Sequence, residues 1–374
     1  MSDGASEAIK SVAMPKWGLA MTEGKVASWL VPEGTRVAAG DEIVEIETSK
    51  ITNVFESPEA GVLRHVAAEG ETLPVGGLIA ILVDGDVPEA EIAAFVAEAR
   101  AAAEAAAAAP PPPEPEVTEA AGWKVRALRV AGPEHATPLL MIHGFGGDLL
   151  SWQFNQPVLS AGRTVVAIDL PGHGGSSKDV ADGDVATLAV MVVAAMDALA
   201  LPRAHLAGHS LGGAIALQVA ATRPERVASV TLVCSAGLGP DINMGYIDGF
   251  IAADRRKEMK PVLEQLFATP EIVSRDMVED ILKYKRLDGV DAALRTIAGA
   301  VFVGGRQAAG FVDRLAGLGV PIQAIWGAED RIIPASHAEA VADRHVLAGA
   351  GHMVHIEQPD AVNTLLERFL EAHG

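Results

Sequence analysis

The chain has a single cysteine, Cys234, so no intrachain disulfide can form and no thiolate metal cluster can be built. Its histidines are scattered without metal-ligand spacing, and no metal site is expected. Positive charge is scarce: 29 Lys and Arg stand against 49 Asp and Glu, a formal charge of −20. Such a field opposes nucleic acid or an anionic membrane as the main partner and favours small molecules or proteins. No apolar run approaches the ~20 residues of a membrane span. The opening "MSDGASEAIKSVAMP" has neither a basic leader nor an apolar core, so a cytoplasmic location is expected. What is present, 374 residues with 49% apolar content, is enough for two or three domains with sizeable cores.

Composition divides the chain into three zones. Residues 6–84 are rich in Val, Ile and Gly with turn signals every few positions, which predicts an all-β module of short strands. Residues 85–121 are nearly all Ala, Glu and Pro and predict a stiff spacer, helical in its Ala-rich half and extended through "PPPPEPE". From 122 to 374, β-branched runs alternate with helical patterns, the sign of an α/β domain on a mainly parallel sheet. At about 236–312 helical segments interrupt the strands and are expected to form a cap.

The first zone contains a repeat. Moved along by 36 residues, "KVASWLVPEGTRVAAGDEIVEIE" lies over "GVLRHVAAEGETLPVGGLIAILV". Gly34 meets Gly70 and Gly40 meets Gly76, while Val26, Leu30, Val37, Ile43 and Ile46 meet Val62, Val66, Leu73, Ile79 and Leu82. Two copies of one strand-and-turn set can share a core that neither fills alone, which predicts a flattened β-barrel. Lys50 falls in the short connection where the first copy ends, a solvent tip that a modifying enzyme can reach.

The stretch "MPKWGLAMTEGKVASWLVPEGTRVAAGDEIVEIETSKITNVFESPEAGVL" resembles the lipoyl domains of 2-oxo acid and acetoin dehydrogenase complexes. In that family the lysine of an E-T-D-K-A type turn carries lipoyl, which the resemblance places on Lys50. Ser49 stands where Asp is usual, and Ile51 where Ala or Val is usual. The methionines that flank the lysine of biotin carriers are missing, so lipoyl is the preferred group.

The third zone holds Gly208-His209-Ser210-Leu211-Gly212, a G-x-S-x-G between an apolar run and the helical "AIALQVAA". A serine on a sharp strand-to-helix turn is strained, and only glycines fit close against it. Its hydroxyl needs a base, and the base an orienting acid. "VPIQAIWGAEDRIIP" places Asp330 beyond a strand end and "HVLAGAGHMVHIEQP" does the same for His352; Glu329 and His355 are alternatives less favoured by position. Acyl transfer also needs donors for a tetrahedral anion. After the strand of "PLLMIHGFGGDLLSW", the backbone N–H groups of Phe145 and Leu211 are the expected pair.

With "DLPGHGGS" following the next strand, these motifs resemble the α/β-hydrolase superfamily over residues 123–374, which makes His143, His173 and His209 loop-structuring. Between Phe250 and Val290 there are eight basic and eight acidic residues. "DRRKEMK" and "LKYKRLD" in this piece read either as holders of the phosphates of coenzyme A or as a solvated face of mixed charge. A lipoyl domain joined to an α/β-hydrolase-fold domain resembles the acetyltransferase component of acetoin dehydrogenase complexes. That resemblance implies transfer of acetyl from acetyl-dihydrolipoyl Lys50 to coenzyme A by a Ser210-His352-Asp330 site. It also implies a thiamine-diphosphate dehydrogenase component and dihydrolipoamide dehydrogenase as partners, and a homo-oligomer. The H-x-x-x-D-G motif of other lipoyl acyltransferases is missing, and "AEIAAFVAEAR" is the candidate helix for docking partner enzymes. A serine hydrolase of esters, thioesters or C–C bonds carrying a lipoyl arm is the alternative, and an inert scaffold displaying the arm is a third.

Overall fold

The structure, a computed structural model, describes residues 8–15, 21, 23–48, 52–85, 87–108 and 113–374. The chain forms two compact units, residues 1–112 and 113–374. Among the described residues no helix is long and apolar enough to cross a membrane.

Among the described residues the first unit has eight strands: β1 Ile9–Ala13, β2 Glu23–Trp29, β3 Arg36–Val37, β4 Glu42–Glu47, β5 Thr52–Glu56, β6 Gly61–His65, β7 Thr72–Pro74 and β8 Leu78–Val83. They make two four-stranded sheets, in the orders β1-β8-β6-β3 and β5-β4-β2-β7. The 36-residue repeat maps β2, β3 and β4 onto β6, β7 and β8, and the halves exchange their short strands: β3 pairs with β6, and β7 with β2. Gly34 and Gly70 share φ of +85°, and Gly40 and Gly76 have φ of +91° and +83°, a left-handed turn that favours glycine. Val26, Ile43, Ile46, Leu63, Ile79 and Leu82 fill one shared core. Each such side chain contributes about 1.5–3 kcal/mol on burial.

The expected spacer is different in the structure. Residues Glu89–Ala108 form a helix, and its Ile92, Phe95, Val96 and Ala99 pack against Ile9, Leu78, Ile81 and Val83 on the outside of the first sheet. Arg64 pairs with Glu89 at 2.7 Å and Arg100 donates to the Val66 carbonyl. The candidate docking helix "AEIAAFVAEAR" thus has Ile92, Phe95, Val96 and Ala99 covered by this unit's own sheet. Residues 109–112 of the Pro-rich half lie outside the described residues.

The second unit is built on an eight-stranded sheet. Its strands are β9 Glu116–Ala120, β10 Trp123–Val130, β11 Leu139–Ile142, β12 Val165–Ile168, β13 Ala204–His209, β14 Val227–Val233, β17 Ile322–Gly327 and β18 Asp343–Leu347; a separate hairpin, β15 Phe302–Val303 and β16 Arg306–Gln307, lies between β14 and β17. The order is β18-β17-β14-β13-β11-β12-β10-β9. Residues 116–120, read from sequence as spacer, are therefore an edge strand, antiparallel to β10. The strands from β12 across to β18 run parallel. "LLMI" and "VASVTLV" are buried at every position, as expected for strands covered on both faces.

β11 lies between β12 and β13, so the connections leaving it and those after β12 run in opposite directions. That is a switch point, and a crevice opens outside the carboxyl ends of β11 and β13. Helices Met244–Ala252, Arg256–Leu263, Arg275–Lys285 and Val290–Val301 fall between β14 and β17. Lys285 Nζ ties the third of these to the first by donating to the carbonyls of Phe250, Ile251 and Ala253 at a helix end.

Candidate active site

β13 ends at His209, and Ser210 opens the helix Leu211–Thr222 with φ of +52° and ψ of −117°. A non-glycine residue there stores about 1–3 kcal/mol of strain, which the surroundings must hold. They do so closely. A Cβ at Gly208 would lie 2.3 Å from the Gly212 carbonyl oxygen, and one at Gly212 would lie 2.3 Å from that of Ile142. Ser210 N–H donates to the Val233 carbonyl at 3.0 Å, and its own carbonyl accepts from Gly213 and Ala236. The side chain makes no capping hydrogen bond to its helix, which leaves the hydroxyl available to a base.

His352 and Asp330 come from the loops after β18 and β17 and meet at 2.8 Å through Nδ1 and Oδ2. Both side chains are buried. The other oxygen of Asp330 accepts from the N–H groups of Ile332 and Ile333, at 2.8 and 3.0 Å, so the carboxylate is held at both ends. With Nδ1–H donating to Asp330, Nε2 is the basic nitrogen of His352. Ser210 and His352 line the same cavity. Glu329 is engaged elsewhere, accepting from Gly349 and Ala350 N–H. His355 is fully buried against Trp152 and His209, and neither ring nitrogen has a partner among the described residues.

The remaining histidines build the loops. His143 accepts from Leu170 N–H at Nε2 and bonds the Gly144 carbonyl through Nδ1. His173 accepts from Gly146 N–H at Nε2 and bonds the Pro171 carbonyl. His209 Nε2 lies 3.0 Å from the His352 carbonyl and so links the nucleophile loop to the base loop. Asp169 accepts from Leu149 and Gly175 N–H and pairs with Arg126 at 3.1 Å. Gly146 N–H and Gly147 N–H are used, the latter by Gly144. Phe145 N–H, and Leu211 N–H at the first position of its helix, donate to no acceptor among the described residues.

Burial drives the imidazole of His173, and that of His355, down to a pKa of about 3, and holds His209 well below its ordinary value. These rings are neutral in the folded protein. Unfolded, each regains a pKa of about 6.5, so the unfolded chain binds more protons in the interval between. Their contribution is therefore complete above pH 6.5 and is lost as pH falls toward 3. Each should lower stability by up to about 1.4 kcal/mol per pH unit below 6.5. Urea midpoints for the protein and a His355→Leu variant, taken from pH 7 to 4.5, check this: the variant should show the shallower decline.

Above Ser210 is a cavity of about 380 Å³. The cap supplies Tyr246, Phe250, Met277, Ile281 and Phe302, and the sheet loops supply Phe145, Leu150 and Ile332, so the wall is mostly apolar. Phe145 meets Phe250 and Phe302 edge-on at 5.9 and 6.1 Å. These cap residues were not singled out from sequence, because only the tertiary fold brings their segments over the serine. Cys234, at φ of +44° beyond β14, sits with its sulfur within 4.8 Å of the facing atoms of Asp330 and His352. Burial and the Asp330 carboxylate raise its pKa well above normal, so it packs there as a neutral thiol.

In the first unit, β4 and β5 are antiparallel neighbours with Glu47 opposite Thr52, and Lys50 falls between them in the sequence. Lys50 lies in this connection but outside the described residues. The paired strands on either side give an attached arm a firm base, which fits a covalent carrier group.

Comparison with known proteins extends this picture. A biotin/lipoyl family model, described as a biotin-requiring enzyme, matches residues 10–82, and an alpha/beta hydrolase fold model matches residues 137–359. The chain is 48% identical over 371 residues to the dihydrolipoyllysine-residue acetyltransferase component of the acetoin cleaving system of Pseudomonas putida, covering 98% of this chain and 99% of that one. The chain belongs to that family. A second member, from Cupriavidus necator, is 44% identical over 99% of this chain and 100% of its own. The acetyltransferase family thus combines the lipoyl-type barrel and the α/β-hydrolase fold in one chain, as read from sequence. A meta-cleavage product hydrolase of Pseudomonas fluorescens matches the fold alone, with a TM-score of 0.63 and 23% identity over 69% of this chain and 98% of that one.

Proposed function

We propose that the chain transfers an acetyl group to the thiol of coenzyme A as the acyltransferase component of an acetoin-cleaving complex, with Ser210, His352 and Asp330 as its catalytic residues. The observation that carries the assignment of residues is the buried 2.8 Å contact of His352 with Asp330 beside a strained, uncapped Ser210. Lipoyl attached to Lys50 would present the acetyl group as a thioester. Ser210 Oγ attacks the thioester carbonyl while His352 Nε2 takes the hydroxyl proton. The N–H groups of Phe145 and Leu211 stabilise the oxyanion. As the C–S bond breaks, His352 returns the proton to the departing thiolate, leaving acetyl on Ser210. His352 then takes the proton of the coenzyme A thiol, whose sulfur attacks the acetyl-serine, and returns it to Ser210 Oγ. Asp330 keeps Nδ1 protonated and stabilises the imidazolium.

The mostly apolar wall favours transfer over hydrolysis by disfavouring water next to an acetyl-serine. A thiamine-diphosphate dehydrogenase component and dihydrolipoamide dehydrogenase would be the partners in a cytoplasmic complex, with this chain as a homo-oligomer. In domain terms, residues 6–84 would be the carrier and the cap at about 236–312 the substrate-enclosing part.

The test is the fate of acetyl-dihydrolipoamide mixed with the purified protein, with and without coenzyme A. The expected product is acetyl-CoA in proportion to acetyl consumed. Free acetate at the same rate in both mixtures would instead make the second unit a hydrolase.

A further inference from the structure

A second cavity, of about 370 Å³, lies in the helices between β14 and β17. Arg256, Lys257, Lys260 and Arg275 line it, with Glu264 as its one acidic lining residue and the rest apolar. In a chain of net charge −20 this is a local concentration of positive charge. Arg256 and Arg275 share Glu279, at 3.4 and 2.8 Å, and Lys260 pairs with Glu264 at 3.4 Å. The cationic side chains of these pairs are all more than half exposed, at 52, 73 and 54%, so the pairs exchange readily for a stronger anion. Lys257 has no ion pair among the described residues.

The two basic stretches of the cap are not equivalent. In "LKYKRLD", Lys285 is held by three backbone carbonyls and Lys283 pairs with Asp280 at 2.8 Å. "DRRKEMK" supplies three of the four cations of the groove. The groove and the Ser210 cavity have no lining residue in common but draw on the same two helices. Helix Arg256–Leu263 gives Arg256, Lys257 and Lys260 to the groove and Leu263 to the cavity. Helix Arg275–Lys285 gives Arg275 and Val278 to the groove and Met277 and Ile281 to the cavity. A ligand with an anionic head and a long uncharged arm ending in a thiol matches this arrangement of a basic groove and an apolar cavity on the same two helices.

We propose that the groove binds the 3′-phosphorylated nucleoside diphosphate end of coenzyme A, whose thiol arm reaches into the Ser210 cavity. The proposal rests on the transfer reading above. Guanidinium groups can take phosphate oxygens bidentately and the lysines add point charges, while the apolar lining suits the adenine ring. Exchange of an exposed acidic partner for a polyphosphate makes binding sensitive to ionic strength.

The test compares coenzyme A with pantetheine, which carries the same thiol without the phosphates, as acceptors for the full-length protein and its Lys257→Glu/Lys260→Glu variant. The preference in kcat/KM for coenzyme A over pantetheine should fall by about tenfold or more in the variant. Adenosine 3′,5′-bisphosphate should compete with coenzyme A in the unaltered protein and lose that ability in the variant. Rising salt should weaken use of coenzyme A more than use of pantetheine. An unchanged preference, or equal binding of the bisphosphate by both proteins, overturns the groove assignment while leaving transfer itself standing. Transfer to neither thiol, with bisphosphate binding lost only in the variant, overturns the transfer reading and keeps the groove. Unaltered coenzyme A kinetics with weakened assembly onto the dehydrogenase component would make the groove a protein-docking surface and defeat the proposal.

Discussion

Ser210→Ala is expected to lower kcat for acetyl transfer to coenzyme A by about 10⁴-fold or more, because nucleophile and base act as a unit. The substitution should leave the fold in place. Alanine already occupies positive φ in this chain at Ala121, Ala181 and Ala200, and the Ser210 hydroxyl makes no capping hydrogen bond whose loss would destabilise the helix. Stability should therefore change by no more than about 1 kcal/mol, against which the loss of rate is decisive. The comparison to make is single-turnover transfer from acetyl-dihydrolipoamide, with thermal unfolding of both proteins alongside. Asp330→Asn is the companion, since it leaves Ser210 untouched and deprives His352 Nδ1 of its charged partner. Substantial transfer by Ser210→Ala together with its loss in Asp330→Asn would mean that His352 activates the incoming thiol directly and that Ser210 only orients the acyl group.

Lys50→Arg is expected to abolish turnover through the assembled complex while acetyl transfer from free acetyl-dihydrolipoamide continues. Arginine keeps the charge but offers no amine to form the lipoyl amide, so the variant isolates attachment from surface charge. A tethered carrier raises the effective concentration of the acyl donor toward ~mM, and loss of the tether removes that advantage without changing the second unit. Intact-mass measurement of both proteins after expression in a lipoylating host, followed by coupled and uncoupled assays, checks it. Complex turnover surviving in Lys50→Arg would place the arm on another residue, and loss of both activities would point to a structural role for Lys50.

The two units were legible to different depths. The repeat was visible because turn glycines leave a fixed mark: Gly34 and Gly70 occur at matching positions, and both adopt φ of +85°. The helix Glu89–Ala108 was expected from sequence, but its packing on the first sheet was hidden by its composition. Ile92, Phe95, Val96 and Ala99 follow the spacing of a single helix face, but among so many alanines and glutamates that face reads as part of a spacer. The strand Glu116–Ala120 was missed for a related reason: it is a mostly exposed edge strand and lacks the apolar run of a central one. In the cap, Lys285 looks as available for phosphate as Lys257 does, and only the carbonyls of Phe250, Ile251 and Ala253 distinguish it.

Features whose cause acts over a few residues could be read along the chain: the glycines around Ser210 where a Cβ would clash, and the strand ends that place Asp330 and His352. A steric limit of that kind is written at the position where it applies. The tertiary structure alone decided which of these meet. The 2.8 Å contact of His352 with Asp330, the link from His209 to the His352 carbonyl and the aromatic wall over Ser210 all depend on the strand order at the switch point beside β11 and on helices crossing above it. Such contacts join segments far apart in the chain, and their partners follow from packing the whole unit, not from any local pattern of residues.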